Sequence, residues 1–302
     1  MNAICFNIAT VERDTGLSKD VLRMWERRYG FPVPNRDANG ERSYPAEQVE
    51  RLRLIKRLMD AGHRPGKLIA TPSEELTALA PRRSTPPASN RENGADDLGE
   101  LLALIKQHDG PGYQQAMQQR LARQGLQNFV QDTVAPLTQR VGQAWEDGNF
   151  EVFEEHLFTE LTKRLLRQAI AGLPGGSRSP RILLTSLPDE PHVLGLLMVE
   201  ALFSLEGADC IPLGTQMPLL EIGRAAIAHR ADIVALSFSV AFPQRQIPGL
   251  LQQLRMVLPG EIALWAGGGG IARVPKMDGI LLLTALDSAV TALSEWRAAQ
   301  GA

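Results

Sequence analysis

The chain has 302 residues, 44% hydrophobic and 22% charged, with a formal net charge of −2. That is an ordinary globular composition, long enough for two or three domains. No apolar run approaches the roughly 18 residues that cross a bilayer and no leader-like stretch opens the chain, so a cytoplasmic protein with no membrane partner is expected. The two cysteines, Cys5 and Cys210, have no metal-ligand spacing, which argues against a thiolate metal sensor.

Residues 1–70 carry 13 Lys/Arg against 9 Asp/Glu, a local net of +4. A basic excess confined to one end suggests that this end meets phosphate. Ile8 to Asp14 reads as a short helix and Thr15 to Ser18 as a tight turn, with Ser18 a good N-cap for a second helix from Lys19 to Tyr29. Gly30 and the prolines at 32 and 34 end that helix. Asn35 to Tyr44 reads as a hairpin with Asn39-Gly40 at its tip. A third helix over 46–61 places Val49, Leu52, Ile55 and Leu58 along one face, with Gly62 closing it.

Residues 81–97, rich in Ser, Pro, Asn and Gly, form a linker, and four helical patterns occupy 98–172. A second linker covers 173–180. Strand candidates follow at 181–186, 209–213, 233–238, 262–266 and 280–283, separated by amphipathic stretches and closed by a helix over 288–297. Such alternation predicts a parallel sheet with helices on both faces, whose ligands sit at the carboxyl ends of the strands. Glu190-Pro-His192-Val-Leu-Gly195 falls there, after the first strand. A carboxylate two residues before an imidazole can fix the ring's tautomer for metal ligation, although the segment alone also fits a solvated loop.

Helix, glycine turn, helix and hairpin make the layout of a winged helix-turn-helix, in which the second helix enters the major groove. Arg23, Arg27 and Arg28 project from that helix, Arg36 and Arg42 flank the wing, and Trp25 reads as a core anchor. The run from Leu22 to Pro32, followed by Pro34-x-Arg36-x-x-x-Gly40-x-Arg42-x-Tyr44, resembles the MerR family of transcription regulators. The resemblance implies contacts to double-stranded operator DNA from Ser18, Lys19, Arg23, Arg27, Arg28, Arg36, Arg42 and Tyr44.

Trp145, nine intervening residues and then Glu155-His156 are similar to the Trp-x9-Glu-His signature of the CarH/LitR group, adenosylcobalamin-binding photoreceptors within the MerR family. Glu190-x-His192-x-x-Gly195 is similar to the base-off, His-on cobalamin motif, with Glu where Asp is more common. Ser237-Phe-Ser239 and Gly267-Gly268 match the serine and double-glycine elements of the same domain. The resemblance implies His192 as lower axial ligand of cobalt, and Gly195, Ser237, Ser239, Gly267 and Gly268 around the cofactor's displaced tail. It implies Trp145 and Glu155 against the adenosyl group, and His156 as upper ligand after photolysis.

The expectation is a multidomain chain: an all-α winged helix-turn-helix over 1–80, a four-helix bundle cap over 98–172, and a flavodoxin-like (Rossmann-type) α/β cobalamin-binding domain over 181–302. Its expected role is a light-responsive, non-enzymatic repressor, a DNA-bound homotetramer in the dark that dissociates in light. A light-independent cobalamin-sensing or apo regulator is the alternative. A methyltransferase or mutase subunit fits less well, because no room remains for a substrate barrel.

Overall fold

Strand β1 (Cys5–Asn7) runs directly into α1 (Ile8–Thr15), where the Thr10 N–H donates to the Asn7 side chain at 2.8 Å and Gly16, at φ 69°, turns the chain out. The computed structural model describes residues 5–36, 40–60, 63–73, 75–76, 97–173 and 178–300. They form two compact units, residues 1–91 with 142–151, and residues 92–141 with 152–302. No helix among the described residues is long and apolar enough to cross a membrane.

In the first unit Ser18 caps α2 (Lys19–Tyr29) by accepting the Val21 N–H at 3.3 Å, and left-handed Gly30 closes it. Strands β2 (Asn35–Arg36) and β3 (Arg42–Pro45) pair antiparallel, and β1 adds to the free edge of β3. This module is therefore not all-α: a three-stranded sheet in the order β1-β3-β2 supplies one wall. The first strand escapes a sequence reading because three residues are too few to show a period. Of the expected tip, Asn39 lies outside the described residues, as do Gly62 and nearly all of the first linker. Helices α3 (Ala46–Asp60) and α4 (Pro65–Ala70) complete a core of Val11, Leu22, Trp25, Tyr44, Leu52 and Ile55.

Further along the chain come α5 (Asp97–Lys106), α6 (Gly110–Asn128), a π-helical segment (Phe129–Val134), α7 (Ala135–Glu146) and α8 (Val152–Ala171). Asp109 caps α6 through the Gly112 N–H at 2.9 Å. Buried Tyr113 and Thr162 share a hydroxyl hydrogen bond of 2.8 Å that ties α6 to α8. The four helical patterns are present, but the π segment and a kink at Gly125 (φ 73°, ψ 163°) between the second and third were not foreseen.

Five parallel strands follow: β4 (Arg178–Thr185), β5 (Ala208–Gly214), β6 (Ile233–Ser237), β7 (Ala263–Gly267) and β8 (Ile280–Leu283). Their order, β5-β4-β6-β7-β8, is the doubly wound 2-1-3-4-5 arrangement. Strand β4 starts at Arg178, so the last three residues of the expected second linker belong to the sheet; a pairing irregularity between 178 and 181 hides them from a periodicity reading. Helices α9 (Leu194–Leu205), α10 (Leu219–Ala228), α11 (Ile247–Val257) and α12 (Leu286–Gln300) connect and close the sheet.

Alternation sends Ile182 and Leu184 into a core with Phe203 of α9 and Leu293 of α12, and Leu183 into the opposite core with Ile222 of α10 and Leu251 of α11. Helix α9 is apolar nearly all round because it packs on the sheet below and on α8 and α6 above. The helical layer thus sits on one face of the sheet.

Candidate functional site

In the first unit Arg23, Arg27 and Arg28 are exposed on α2. Arg23 leans 3.5 Å from Asp20 and Arg28 lies over the Tyr29 ring at 5.3 Å, while Lys19 is 3.5 Å from Glu12. The Arg36 guanidinium donates to the Gly40 carbonyl at 2.7 Å, bracing the hairpin. Of the other two expected contacts, Arg42 is partly exposed and Tyr44 faces inward. Arg42 makes a two-toothed ion pair with Glu26 of α2, 2.8 and 3.4 Å, which holds its guanidinium above the ordinary value. Tyr44 is fully buried, and its hydroxyl has no hydrogen-bond partner among the described residues. The geometry gives Tyr44 a packing role and Arg42 the role of fastening β3 to α2.

In the second unit the loop between β4 and α9 meets the loop after β6, where the strand order reverses. Glu190, 1% exposed, is the centre of the meeting. Its Oε2 accepts the Ser239 N–H at 2.7 Å, and its Oε1 accepts the His192 backbone N–H at 3.1 Å and the ring Nδ1–H at 2.6 Å. The Ser239 hydroxyl stands 3.0 Å from the same ring nitrogen. A carboxylate can only accept, so the ring proton is placed on Nδ1 and the lone pair on Nε2. Nε2 has no partner among the described residues, and the His192 side chain is 53% exposed.

Burial works to raise the Glu190 carboxyl, but the hydrogen bonds from His192 and the Ser239 amide prevail and hold it below its ordinary value. For His192 the hydrogen bond to Glu190 raises the imidazole, partial burial opposes it, and the charges of Glu190 and Glu155 add to the rise. The last contribution is informative. It sets the carboxylate of Glu155, on α8, within electrostatic reach of the imidazole.

Glu155 accepts the Thr159 hydroxyl at 2.7 Å, and exposed His156 lies 3.7 Å from its other oxygen. Half-buried Trp145, one residue before the end of α7, falls in the stretch that groups with the first unit. A Cβ on Gly195 would come 2.5 Å from the Ser237 hydroxyl, and one on Gly268, at φ 98°, would come 2.3 Å from the Phe238 carbonyl oxygen. Gly268 is thus needed by chain-on-chain packing, whereas at Gly195 the Ser237 hydroxyl would have to move. Ser239 is engaged with Glu190 and His192, while Gly267 ends β7 against β8.

Reading from sequence missed Ser186, fully buried at the end of β4. Its hydroxyl donates to the Glu190 carbonyl at 2.6 Å and accepts the Gln216 N–H at 2.9 Å. No spacing rule marks a lone serine at a strand end.

No group of three or more His, Cys, Asp or Glu able to hold a metal ion occurs among the described residues. One oriented imidazole suits a metal that arrives with its own equatorial ligands, and a buried carboxylate on the far ring nitrogen is a common support for a ligating histidine. The donor set fits the cobalt of a corrinoid.

Residues 6–69 match the MerR HTH family regulatory protein family, and residues 98–170 match the B12 binding domain family. The chain is 31% identical over 257 residues to the HTH-type transcriptional repressor CarH of Myxococcus xanthus, covering 84% of this chain and 85% of the relative. It is 28% identical over 280 residues to the HTH-type transcriptional repressor CarA of the same organism, covering 92% and 91%. In fold it is similar to the monomethylamine corrinoid protein of Methanosarcina barkeri, with a TM-score of 0.52, 14% identity, and coverage of 67% of this chain and 100% of that one.

Proposed function

This chain belongs to the family of MerR-type transcriptional regulators with a B12-binding domain, the family of CarH and CarA, and from that premise we propose that it is a light-responsive repressor using adenosylcobalamin. The observation that carries the reading is the cluster of Glu190, His192 and Ser239: a ring held by a buried carboxylate, with Nε2 left to bind.

Adenosylcobalamin, when bound, supplies a corrin-held cobalt and a cobalt–carbon bond that light breaks. His192 would be its lower axial ligand, oriented by Glu190 and Ser239. Gly195, Ser237, Gly267 and Gly268 would shape the surrounding walls, and Trp145 and Glu155 of a four-helix cap would face the adenosyl group. His156 would be the second imidazole offered to cobalt once light has removed the adenosyl group. Exposed on α8 and beside Glu155, it is not held in the core.

At the other end, α2 would enter the major groove of operator DNA as the recognition helix of a winged helix-turn-helix, with Arg23, Arg27 and Arg28 on its exposed side. Ser18 and Lys19 at the start of α2, with Arg36 of the hairpin wing, would meet backbone phosphates. Homo-oligomerisation, a tetramer in the dark, would supply the two-fold symmetry that such operators require, and light would weaken that assembly.

Size-exclusion chromatography with adenosylcobalamin, in darkness and after green light, tests the reading. A coloured, larger dark species that collapses on illumination supports it. A coloured species indifferent to light would make the chain a light-independent cobalamin sensor, and a colourless peak of unchanged size would refute the cofactor assignment.

A further inference from the structure

Backbone pairing between β4 and β5 ends at Thr185 opposite Gly214, after an irregularity at 184/185. Beyond that point the two chains would be free to part, yet both continue into loops held against each other by one residue. The Ser186 hydroxyl donates to the Glu190 carbonyl at 2.6 Å and accepts the Gln216 N–H at 2.9 Å; the Ser186 carbonyl accepts the Met217 N–H at 2.9 Å. Both loops carry a non-glycine residue in the left-handed region, Asp189 at φ 67° and Gln216 at φ 63°, so neither lies in its relaxed conformation. Asp189 is one residue before the orienting carboxylate, and Gln216 is the residue whose amide Ser186 receives.

We infer that Ser186 is a positioning residue for the axial imidazole, and that the segment Gln216-Met217-Pro218 is, through Ser186, part of the support of that imidazole. This rests on the reading of His192 as a cobalt ligand. Glu190 is pinned at two points, its carboxylate by the Ser239 amide and its carbonyl by Ser186. The side-chain contact sets which way the carboxylate faces. The main-chain contact sets where along the sheet edge the 189–192 turn begins, and hence how far Nε2 stands above it. Ser186 makes no hydrogen bond to His192, so it acts on the ring through Glu190.

The test compares Ser186→Ala with Thr185→Val. Thr185 is equally buried and donates its hydroxyl to the Gly214 carbonyl at 2.9 Å, with a longer approach of 3.4 Å to the Ser186 carbonyl, and has no hydrogen bond to Glu190. In the cofactor-free full-length chain the His192 ring is followed by nitrogen NMR at one fixed pH, where the Nδ1–H resonance reports its hydrogen bond to Glu190. In Ser186→Ala that resonance should shift or broaden, because the carboxylate loses its fixed approach. In Thr185→Val it should stay as in the parent, even where both variants lose thermal stability. Affinity for hydroxocobalamin, read from the histidine-ligated absorption band, should drop about 10-fold or more in Ser186→Ala alone.

Where Ser186→Ala does not fold, Ser186→Cys, which keeps the volume and weakens both hydrogen bonds, takes its place. An unchanged His192 Nδ1–H resonance in the folded serine variant, or an equal change in Thr185→Val, overturns the inference. A parent chain that takes up no hydroxocobalamin would overturn the cofactor reading instead, while that resonance still decides whether Ser186 positions the pair.

Discussion

Replacing Glu190 by Gln keeps the size of the side chain and changes what its two ends can do. The carboxylate has acceptors on both sides, one facing the Ser239 N–H and the other facing two donors of His192. An amide has a single acceptor end, so whichever way it turns, its NH2 group points at a donor in a site only 1% exposed. The loss of one charge-assisted hydrogen bond, with a buried donor left unmatched, should cost about 2–4 kcal/mol. With a denaturant slope of about 2 kcal/mol/M, that lowers the urea midpoint by roughly 1–2 M. The imidazole reports the cause. Removing Glu190 takes away the largest contribution raising His192 and one of its two coulombic ones, leaving burial opposed only by the weaker charge of Glu155. The ring should then titrate below 6.5 instead of above it.

The pH dependence has two limbs. His192, raised in the folded state, contributes stability that is complete below 6.5 and lost as pH rises through its folded value. Glu190, lowered in the folded state, contributes stability that is present above 4.5 and lost as pH falls through its folded value. Glu190→Gln should flatten both limbs of a urea-midpoint profile. A variant whose His192 still titrates above 6.5, with the profile of the parent, would refute the claim that Glu190 governs this ring.

Gly268→Ala should lower stability by at least about 2 kcal/mol, since it forces a left-handed backbone on an L residue and drives a Cβ into a carbonyl oxygen. Gly249→Ala, on α11 with open space around it, should instead raise stability by about 0.5–1 kcal/mol; like melting temperatures for the two would sink the packing argument. Arg27→Ala should reduce the salt dependence of duplex-DNA binding by about one phosphate's worth, whereas Arg42→Ala should weaken binding with little change in slope, its charge being already matched by Glu26. Equal slope changes in the two variants would place Arg42 on phosphate directly.

The elements legible in the sequence are those whose signal is local and periodic. Ser18 announces α2, and the strands from 208 to 283 are each found to within a residue or two, because turns and apolar runs bound them. Glu190 and His192 could be paired from their two-residue spacing alone. Ser239, 47 residues from His192, could be tied to the ring only by resemblance, and the resemblance did not specify that its amide would clamp Glu190. Ser186 could not be read at all, since its partners are a carbonyl and an amide from two different loops. The pairing of Arg42 with Glu26 and the burial of Tyr44 were illegible for a related reason. Sequence gives the side-chain type, but which face of β3 looks inward depends on its pairing with β1, a strand too short to detect.

The π segment at Phe129–Val134 has a consequence for anyone recombining this chain with its relatives. A wider turn carries an additional residue per rotation, so the π segment shifts the phase of the residues that follow it relative to a uniform α-helix. A chimera joined within 129–134 to a helix of uniform pitch would rotate everything downstream about its axis by roughly 100° for each residue gained or lost. Crossover points for domain exchange therefore belong before Gly110 or after Ala171, where whole helices are inherited together with their own phase.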